Sequence, residues 1–319
     1  MSLHWARTRE AGVLTGMRIL IWIHRHGGRF AFSLALVPVM AYFFVVRGNA
    51  RRACRRYLAR VKRCYPQALG DHSITWLSFV QFVTFGQSLL DKYLAWAETP
   101  SGIAMAPSEE KMLFDAACSG RGCLLIGSHF GNLEYSRGIA HRHPDLTINV
   151  LMYDKHAQKF AALIAQAEPD ARMNLIQVTD LDFALALRLR EKVQNGEWVV
   201  IAGDRVPVSS GERVCEAVFF GDRARFPVGP YVLASLLQCP VYLLHCFRDN
   251  DQYRLVLETF ASEVNLPRQN RQQAFEMNVQ KFAAALERRV AMAPLQWFNF
   301  FDFWNDEEPS GQGLAGGGN

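Results

Sequence analysis

The chain has 319 residues, half of them hydrophobic and a fifth charged. This length suffices for one large α/β domain with an appendage, and the apolar content excludes an intrinsically disordered protein. The seven cysteines show neither a metal-binding spacing nor a disulfide framework, so reduced thiols in a protein facing the cytoplasm are the simplest interpretation.

Basic charge is concentrated in residues 1–66, which hold 13 of the 35 Lys and Arg residues and one acidic residue, Glu10. Residues 30–46 are a run of 17 uncharged residues. Arginines flank this run on both sides: Arg29, Arg47, Arg51, Arg52, Arg55 and Arg56. Anionic headgroups attract such a flank by about 1 kcal/mol per basic residue. We therefore expect residues 1–66 to be a helical, membrane-associated segment, and apolar stretches beside arginines fit lipid better than nucleic acid.

The apolar run leaves the mode of membrane contact open. Residues 30–46 fall short of the about 20 residues of a spanning helix, and Pro38 lies near their middle. With the earlier apolar piece at residues 17–23, they favour a membrane-seated helical hairpin or a short anchor over two buried helices of a soluble bundle. A secretory signal does not fit, because Arg51 and Arg52 stand where a small-residue cleavage site belongs.

The periodicity changes after the basic segment. Residues 67–100 carry apolar side chains at three- and four-residue steps, which predicts a helical lead-in. Beyond it, apolar strands alternate with helices, the strands at 147–152, 174–178 and 198–202 and the helices at 160–167 and 182–195. This pattern predicts an α/β fold with a mostly parallel central sheet covered by helices.

A short apolar run at residues 122–126 predicts a further buried strand, and a turn with His129 follows it. Asn132 is the predicted N-cap of the next helix, which places Glu134 in the first helical turn. A carboxylate bound to one imidazole nitrogen fixes the tautomer and raises the basicity of the other nitrogen. We therefore predict that Glu134 makes His129 a general base that activates a hydroxyl.

Other interpretations of this block fit less well. A surface pair of histidine and glutamate is the common alternative, but the small residues Ser128 and Gly131 beside His129 allow a substrate to approach closely. A serine-hydrolase elbow needs Gly-x-Ser-x-Gly, a spacing that is absent here. A zinc site built from His129, His141 and His143 lacks the usual spacing and companion ligands.

Two polar residues, Asp204 and Arg205, follow the predicted strand at 198–202. Ligands of open α/β sheets gather at the carboxyl ends of the strands. We therefore expect Asp204 and Arg205 to lie at the same sheet edge as His129.

A second candidate binding element precedes the predicted helix at residues 231–237. Gly229 and Pro230 stand at its start, and a proline in the first turn leaves backbone N–H groups that suit a phosphate or an oxyanion. Arg223 and Arg225 lie just before it. The residues alone leave open whether these arginines are donor contacts or solvated surface charges.

The segment Ser128-His129-Phe130-Gly131-Asn132-Leu133-Glu134 resembles the His-x4-Asp/Glu block of the late lipid A acyltransferases, the lauroyl/myristoyl acyltransferase family. Leu133 stands where these enzymes usually have tryptophan. Asp204, the turn at residues 219–221 and the Phe-Pro-x-Gly segment at residues 226–229 resemble the second and third blocks of the family. The resemblance covers most of residues 1–305, and the Gly- and Ser-rich residues 306–319 are predicted to be disordered.

The resemblance implies a glycerolipid-acyltransferase-like domain over residues 67–305, at the cytoplasmic face of a bacterial inner membrane. Its activity would be O-acyl transfer from acyl carrier protein or coenzyme A to a hydroxyl of a lipid or glycolipid, without a metal or other cofactor. The catalytic residues would be His129 and Glu134, and the substrate-binding residues Ser128, Gly131, Asn132, Asp204, Arg205, Arg223, Arg225 and Gly229. An inactive lipid- or carrier-binding protein and an acyl thioesterase are the alternatives.

The resemblance has two departures that bear on the acceptor. Residues 294–304 occupy the place of an aromatic, basic closing motif, but Asn299, Phe300 and Asp302 replace its His-Arg-Arg cluster. Residues 152–156 lack an arginine that those enzymes often carry. The opening His-Trp-Ala and the aromatic close are more similar to the branch associated with aryl-polyene and flexirubin-type lipid pathways.

Overall fold

The computed structural model describes residues 13–97, 103–136, 139, 143, 146–152, 173–177, 183–206, 214–250 and 252–304. Its helices are α1 (Val13–Val46), α2 (Gly48–Cys64), α3 (Ile74–Ala97), α4 (Pro107–Cys118), α5 (Phe183–Gln194), α6 (Gly229–Leu237) and α7 (Arg271–Met292). Its strands are β1 (Ile103–Ala104), β2 (Leu124–Gly127), β3 (Ile148–Met152), β4 (Met173–Gln177), β5 (Trp198–Ala202), β6 (Val214–Phe219), β7 (Asp222–Pro227), β8 (Val241–Asp249) and β9 (Gln252–Ala261).

Seven of these strands form one sheet in the order β1-β9-β8-β2-β5-β3-β4. All neighbours in it are parallel except β8 and β9, which form an antiparallel pair. Strands β6 and β7 form a separate antiparallel pair. The predicted α/β class with a mostly parallel, helix-covered sheet is confirmed.

Most of the predicted elements are present at nearly the predicted positions. Strands β2, β3, β4 and β5 and helix α5 lie within a few residues of their predicted bounds. The helical lead-in predicted from residue 67 begins as α3 only at Ile74, and the helix predicted at 160–167 lies outside the described residues. Residues 222–227 lead into the helix α6 as expected, and they form strand β7, to which the sequence analysis assigned no element. The reason is a two-residue alternation, in which Arg223 and Arg225 are exposed while Ala224 and Phe226 are buried.

Helix α1 contains both apolar N-terminal pieces. It is kinked at Gly28, where φ is 69°, a left-handed conformation that glycine adopts at low cost. Pro38 lies inside the helix and does not end it. Phe32, Leu36 and Met40 pack in a cluster with side chains of α3, whereas Phe30 and Leu34 are 82% and 68% exposed.

Among the described helices, α1 is long and apolar enough over Ile19–Val46 to cross a bilayer. Its exposed apolar side chains agree with membrane association of the N-terminal region. The membrane itself and the depth of the helix in it stay predictions.

Helix α2 packs into the main hydrophobic core through Tyr57, Leu58 and Val61. The Tyr57 hydroxyl donates to the carbonyl of Pro294 at 2.8 Å, and Arg60 pairs with Asp222 at 2.7 Å. Part of the basic charge of this helix is therefore directed at the protein itself. The proposed domain boundary at residue 66 stays a prediction.

Candidate active site

The imidazole of His129 and the carboxylate of Asp204 lie together at the edge where β2 and β5 end. Gly127 and Ala202, the last residues of the two strands, are paired in the register. His129 Nδ1 lies 2.8 Å from Asp204 Oδ1, and the backbone N–H of His129 donates to Oδ2 at 2.8 Å. The carboxylate therefore holds both the ring and the main chain of His129.

Asp204 is a buried, ionised acceptor, with 2% of its surface exposed. Trp297 Nε1 also donates to its Oδ2, at 3.1 Å. Burial alone would raise the pKa of Asp204, but the charge and hydrogen bonds of His129 and the charge of Arg205 together lower it to about 2. Because a carboxylate only accepts hydrogen bonds, the proton of the neutral His129 ring lies on Nδ1.

The pKa of His129 lies below its ordinary value. Burial is the largest cause, and the positive charges of Arg205 and Lys92 act in the same direction, while Asp204 opposes them. The ring is therefore neutral at pH 7, and Nε2 is its basic nitrogen. The side chain is 35% exposed, so part of the ring is open to a substrate.

The prediction that Glu134 binds the imidazole is wrong. Glu134 lies in the first turn of a short 3₁₀ helix, Leu133–Ser136, and its Oε1 pairs with Lys92 Nζ of α3 at 3.1 Å. The side-chain amide of Asn132 donates to Glu134 Oε2 at 2.9 Å, and its oxygen accepts from the backbone N–H of Lys92 at 3.2 Å. The physical reason is the register of β2 and β5, which places Asp204 next to the His129 ring. The turn after His129 directs Glu134 toward α3 instead.

A polar network continues from this block into α3 and α1. Asp91 is buried, and its two oxygens accept from Tyr253 at 2.8 Å and from Arg29 of α1 at 2.6 Å. The ring of Tyr253 also stacks on Tyr135 of the segment after His129, with ring centroids 3.8 Å apart. This segment is thereby connected to α3 and, through Asp91 and Arg29, to α1.

The predicted substrate contacts Ser128 and Asn132 are buried, which does not fit a direct contact with substrate. The Ser128 hydroxyl lies 3.5 Å from Nδ1 of His245, a buried histidine of β8 that the sequence did not reveal. Burial lowers the pKa of His245 to about 3, with Arg289 adding to the effect and Asp204 opposing it, so this ring is neutral. Ser128 and Asn132 support the turn that carries His129.

Gly131 lets the turn lie directly on strand β8. Its φ is 73°, and a Cβ here would collide with the backbone oxygen of Cys246. The neighbouring N–H of Asn132 donates to that same oxygen at 2.6 Å. A side chain at residue 131 would therefore push the turn off β8 and displace His129.

The closing segment completes the site. The backbone N–H of Phe298 donates to the carbonyl of His129 at 3.2 Å, and Gln81 of α3 donates to the carbonyl of Trp297 at 2.8 Å. Arg205 donates to the carbonyl of Phe298 at 2.9 Å. Asp204 and Arg205 thus lie beside His129 as predicted, and Trp297 joins them.

Arg223 and Arg225 lie on the exposed face of the β6–β7 pair rather than in the main sheet. Arg223 is paired with Glu216 at 3.3 Å, and its side chain is 81% exposed. Gly229 begins α6 as predicted, with Pro230 in the first turn. Because α6 leads into β8, whose first residue pairs with Leu124 at the start of β2, the beginning of α6 points toward the edge that carries His129.

Sequence reasoning missed Trp297 and Lys92 as parts of the site. Trp297 lies in the aromatic segment at residues 294–304, which the sequence analysis compared with the family only by its charged residues. The buried acceptor of its indole N–H, Asp204, is known only from the fold. Lys92 lies in a helix that reads as ordinary core packing. The sequence signal available for the pair of His129 and Asp204 was that each residue closely follows a predicted buried strand.

The sequence matches the model of a known protein family. No curated protein matches the chain with significant similarity. The family model of the bacterial lipid A biosynthesis acyltransferases matches residues 67–305, a range that contains His129, Asp204 and the closing segment. Because this match spans well over half of the sequence, the chain belongs to the bacterial lipid A biosynthesis acyltransferase family.

Proposed function

We propose that the protein is an O-acyltransferase that moves a fatty-acyl group from a thioester of acyl carrier protein or coenzyme A to a lipid hydroxyl. The family points to acyl transfer onto a lipid. The observation that carries the proposal is the 2.8 Å contact of His129 Nδ1 with a buried, ionised Asp204, which leaves a neutral imidazole partly open to substrate.

In this mechanism His129 Nε2 removes the proton of the acceptor hydroxyl as its oxygen attacks the thioester carbonyl carbon. The carbon–sulfur bond of the tetrahedral intermediate then breaks, and the imidazolium returns its proton to the leaving thiolate. Asp204 stays ionised and stabilises the imidazolium between the two steps. No covalent acyl-enzyme is needed.

Positive groups near His129 would stabilise the oxyanion of the tetrahedral intermediate. Arg205 and Lys92 are close enough for their charges to lower the pKa of His129. Glu134 holds Lys92 in place, so we assign Glu134 to positioning this cation rather than to polarising the base.

The donor side of the proposal rests on the start of α6. The backbone N–H of Gly229 and the positive end of α6 suit a phosphate of the donor, and Arg223 and Arg225 would add positive charge on the approach. Each arginine changed to Ala should raise the donor KM more than it lowers kcat. If neither change alters donor binding, both arginines are surface charges.

We place the enzyme at the cytoplasmic face of the bacterial inner membrane, anchored by α1. The enzyme would belong to the branch associated with aryl-polyene and flexirubin-type lipid pathways, and its acceptor would therefore differ from lipid A. The loss of the His-Arg-Arg cluster at Asn299, Phe300 and Asp302 supports this choice.

The decisive experiment is lipidomics of a deletion strain, followed by transfer assays with the purified full-length protein in lipid vesicles. We expect an acylated lipid that disappears on deletion and is restored by the wild type but not by His129→Ala. Release of free fatty acid without an acyl-lipid product would identify a thioesterase. If His129→Ala restores the acylated lipid, the protein would be a lipid- or carrier-binding protein rather than the catalyst.

A further inference from the structure

A cavity of about 370 Å³ lies between α3, the turn after β8 and the closing segment. Gly131 and Phe298 form part of its wall, and both adjoin His129, since Phe298 donates to the His129 carbonyl and Gly131 follows two residues after it. The volume is within the range of sites for small ligands. The cavity is therefore next to the proposed catalytic residues.

The wall of this cavity is polar. Hydroxyl groups come from Thr84, Ser88 and Tyr253, and amide groups from Gln87, Asn250 and Gln296. Phe298 supplies the one large apolar side chain among the described wall residues. An acyl chain prefers apolar walls, so the chemistry of this cavity suits a hydroxyl-rich group instead.

The polar wall is held rigidly in place. Gln296 accepts from the backbone N–H of Arg248 at 2.8 Å and donates to the carbonyl of the same residue at 2.7 Å. Thr84, Gln87, Ser88 and Asp91 follow one face of α3 at helical spacing. A ligand would therefore bind a preformed surface.

Charge in the wall is sparse. The described wall residues include one carboxylate, Asp91, and one guanidinium, Arg248. Arg29 offsets the charge of Asp91, and Arg248 donates its Nε–H to the carbonyl of Asn250 at 3.1 Å, so a phosphate would meet a single arginine rather than a cluster of cations. The wall hydroxyl groups donate within the protein, and their oxygens can accept from the hydroxyl groups of a neutral ligand.

The cavity also lies at the level where the apolar part of α1 begins. Arg29, bound to the wall residue Asp91, directly precedes the exposed Phe30. If residues 30–46 lie in the bilayer, the cavity is at the height of the lipid headgroups. This position favours the lipid acceptor over the water-soluble donor.

We propose that this cavity binds the uncharged, polyhydroxylated headgroup of the acceptor lipid. The inference rests on the proposed acyl transfer to a lipid, since it assigns the acceptor side of that same site. Gln87 of α3 is the half-buried wall amide whose change disturbs the least of the surrounding hydrogen bonds.

The test is binding of the full-length protein to vesicles of phosphatidylethanolamine and phosphatidylglycerol, with or without a neutral monohexosyl diacylglycerol. The glycolipid should tighten binding, and Gln87→Leu should weaken this gain by about tenfold, as for one lost hydrogen bond. Gln272→Leu, an exposed glutamine at the start of α7, is the matched control and should keep the full gain. Thr84→Val gives a second wall variant of nearly unchanged shape.

Binding is measured also in the His129→Ala background, so that its outcome does not depend on turnover. A glycolipid gain that persists there and is lost with Gln87→Leu supports the cavity even if the assumed transfer reaction fails. Equal gains in wild type, Gln87→Leu and Thr84→Val would overturn the inference. So would a wall variant that raises the KM of the thioester donor alone, because the cavity would then hold the donor.

Discussion

His129 and Asp204 face each other because the strands that carry them end at the same register position. Gly127 pairs with Ala202, and each side chain follows its strand end by two residues, which brings Nδ1 and Oδ1 to 2.8 Å. The pair is thus a product of the parallel sheet, and not of the short motif that contains His129.

This geometry predicts that His129→Ala and Asp204→Asn both impair transfer strongly. Loss of a general base costs on the order of 10²–10⁴ in rate, and the asparagine would favour the wrong tautomer of the ring. The double variant should lose little more than either single one, because the two residues act as a unit. Steady-state rates with circular dichroism spectra as a check of folding decide this, and wild-type activity in either variant would refute the mechanism.

Glu134 should act through Lys92. Removing the carboxylate with Glu134→Ala frees the ammonium group that Oε1 holds at 3.1 Å, so transfer should fall sharply. In a Lys92→Met background the same change should then add little. The exposed pair Lys111 and Asp115 offers a matched control with no expected effect. Losses that multiply would show that Glu134 acts on substrate or on His129 independently of Lys92.

The acid limb of the pH–rate profile should respond to Arg205. Catalysis needs neutral His129, whose pKa lies below its ordinary value partly because of the Arg205 charge. Arg205→Gln removes this charge, the pKa rises, and the acid limb moves to higher pH. The loss of activity should consequently be larger near about pH 5.5 than near about pH 8. An unchanged midpoint would remove Arg205 from the electrostatics of the base.

Asp91 should contribute to stability as well as to the cavity wall. Asp91→Ala leaves the Tyr253 hydroxyl without its acceptor in a buried site, at a cost of about 1–3 kcal/mol in the free energy of unfolding. The exposed Asp115, changed to Ala, should cost less than about 0.5 kcal/mol. Denaturant unfolding monitored by tryptophan fluorescence makes the comparison. Equal effects of the two changes would mean that the Asp91 network adds nothing.

Helix α1 should hold the protein in the membrane. Changing the exposed Phe30 and Leu34 together to Asp should release the protein without unfolding it, because neither side chain is packed in the core. Phe114 of α4, also exposed, provides the control that should stay bound when changed to Asp. Membrane fractions washed with salt, carbonate and detergent show the difference. A wild-type protein that stays soluble without detergent or lipid would refute the assignment.

The sequence predicted the sheet edge well, because buried parallel strands appear as continuous apolar runs that alternate with helices along the chain. It placed His129, Asp204 and Arg205 at one edge. It did not predict β8 and β9, and their long antiparallel pair supplies the backbone on which Gly131 lies.

The partner of His129 was assigned wrongly for a physical reason. Glu134 is close along the chain, and local spacing suggests a local pair, whereas the strand register that brings Asp204 to the ring spans 75 residues. The indole of Trp297 was hidden for the same reason. Contacts of this kind depend on tertiary packing, which residue patterns in a single sequence do not report.

The last contacts to His129 and Asp204 come from residues 297 and 298, whereas α1 lies at the beginning of the described chain. During synthesis the apolar helix leaves the ribosome before the indole that binds Asp204 has been made. The nascent chain can therefore reach the bilayer while its active site is still incomplete. If α1 is the membrane anchor, order along the polypeptide places delivery to the membrane before the onset of the proposed activity.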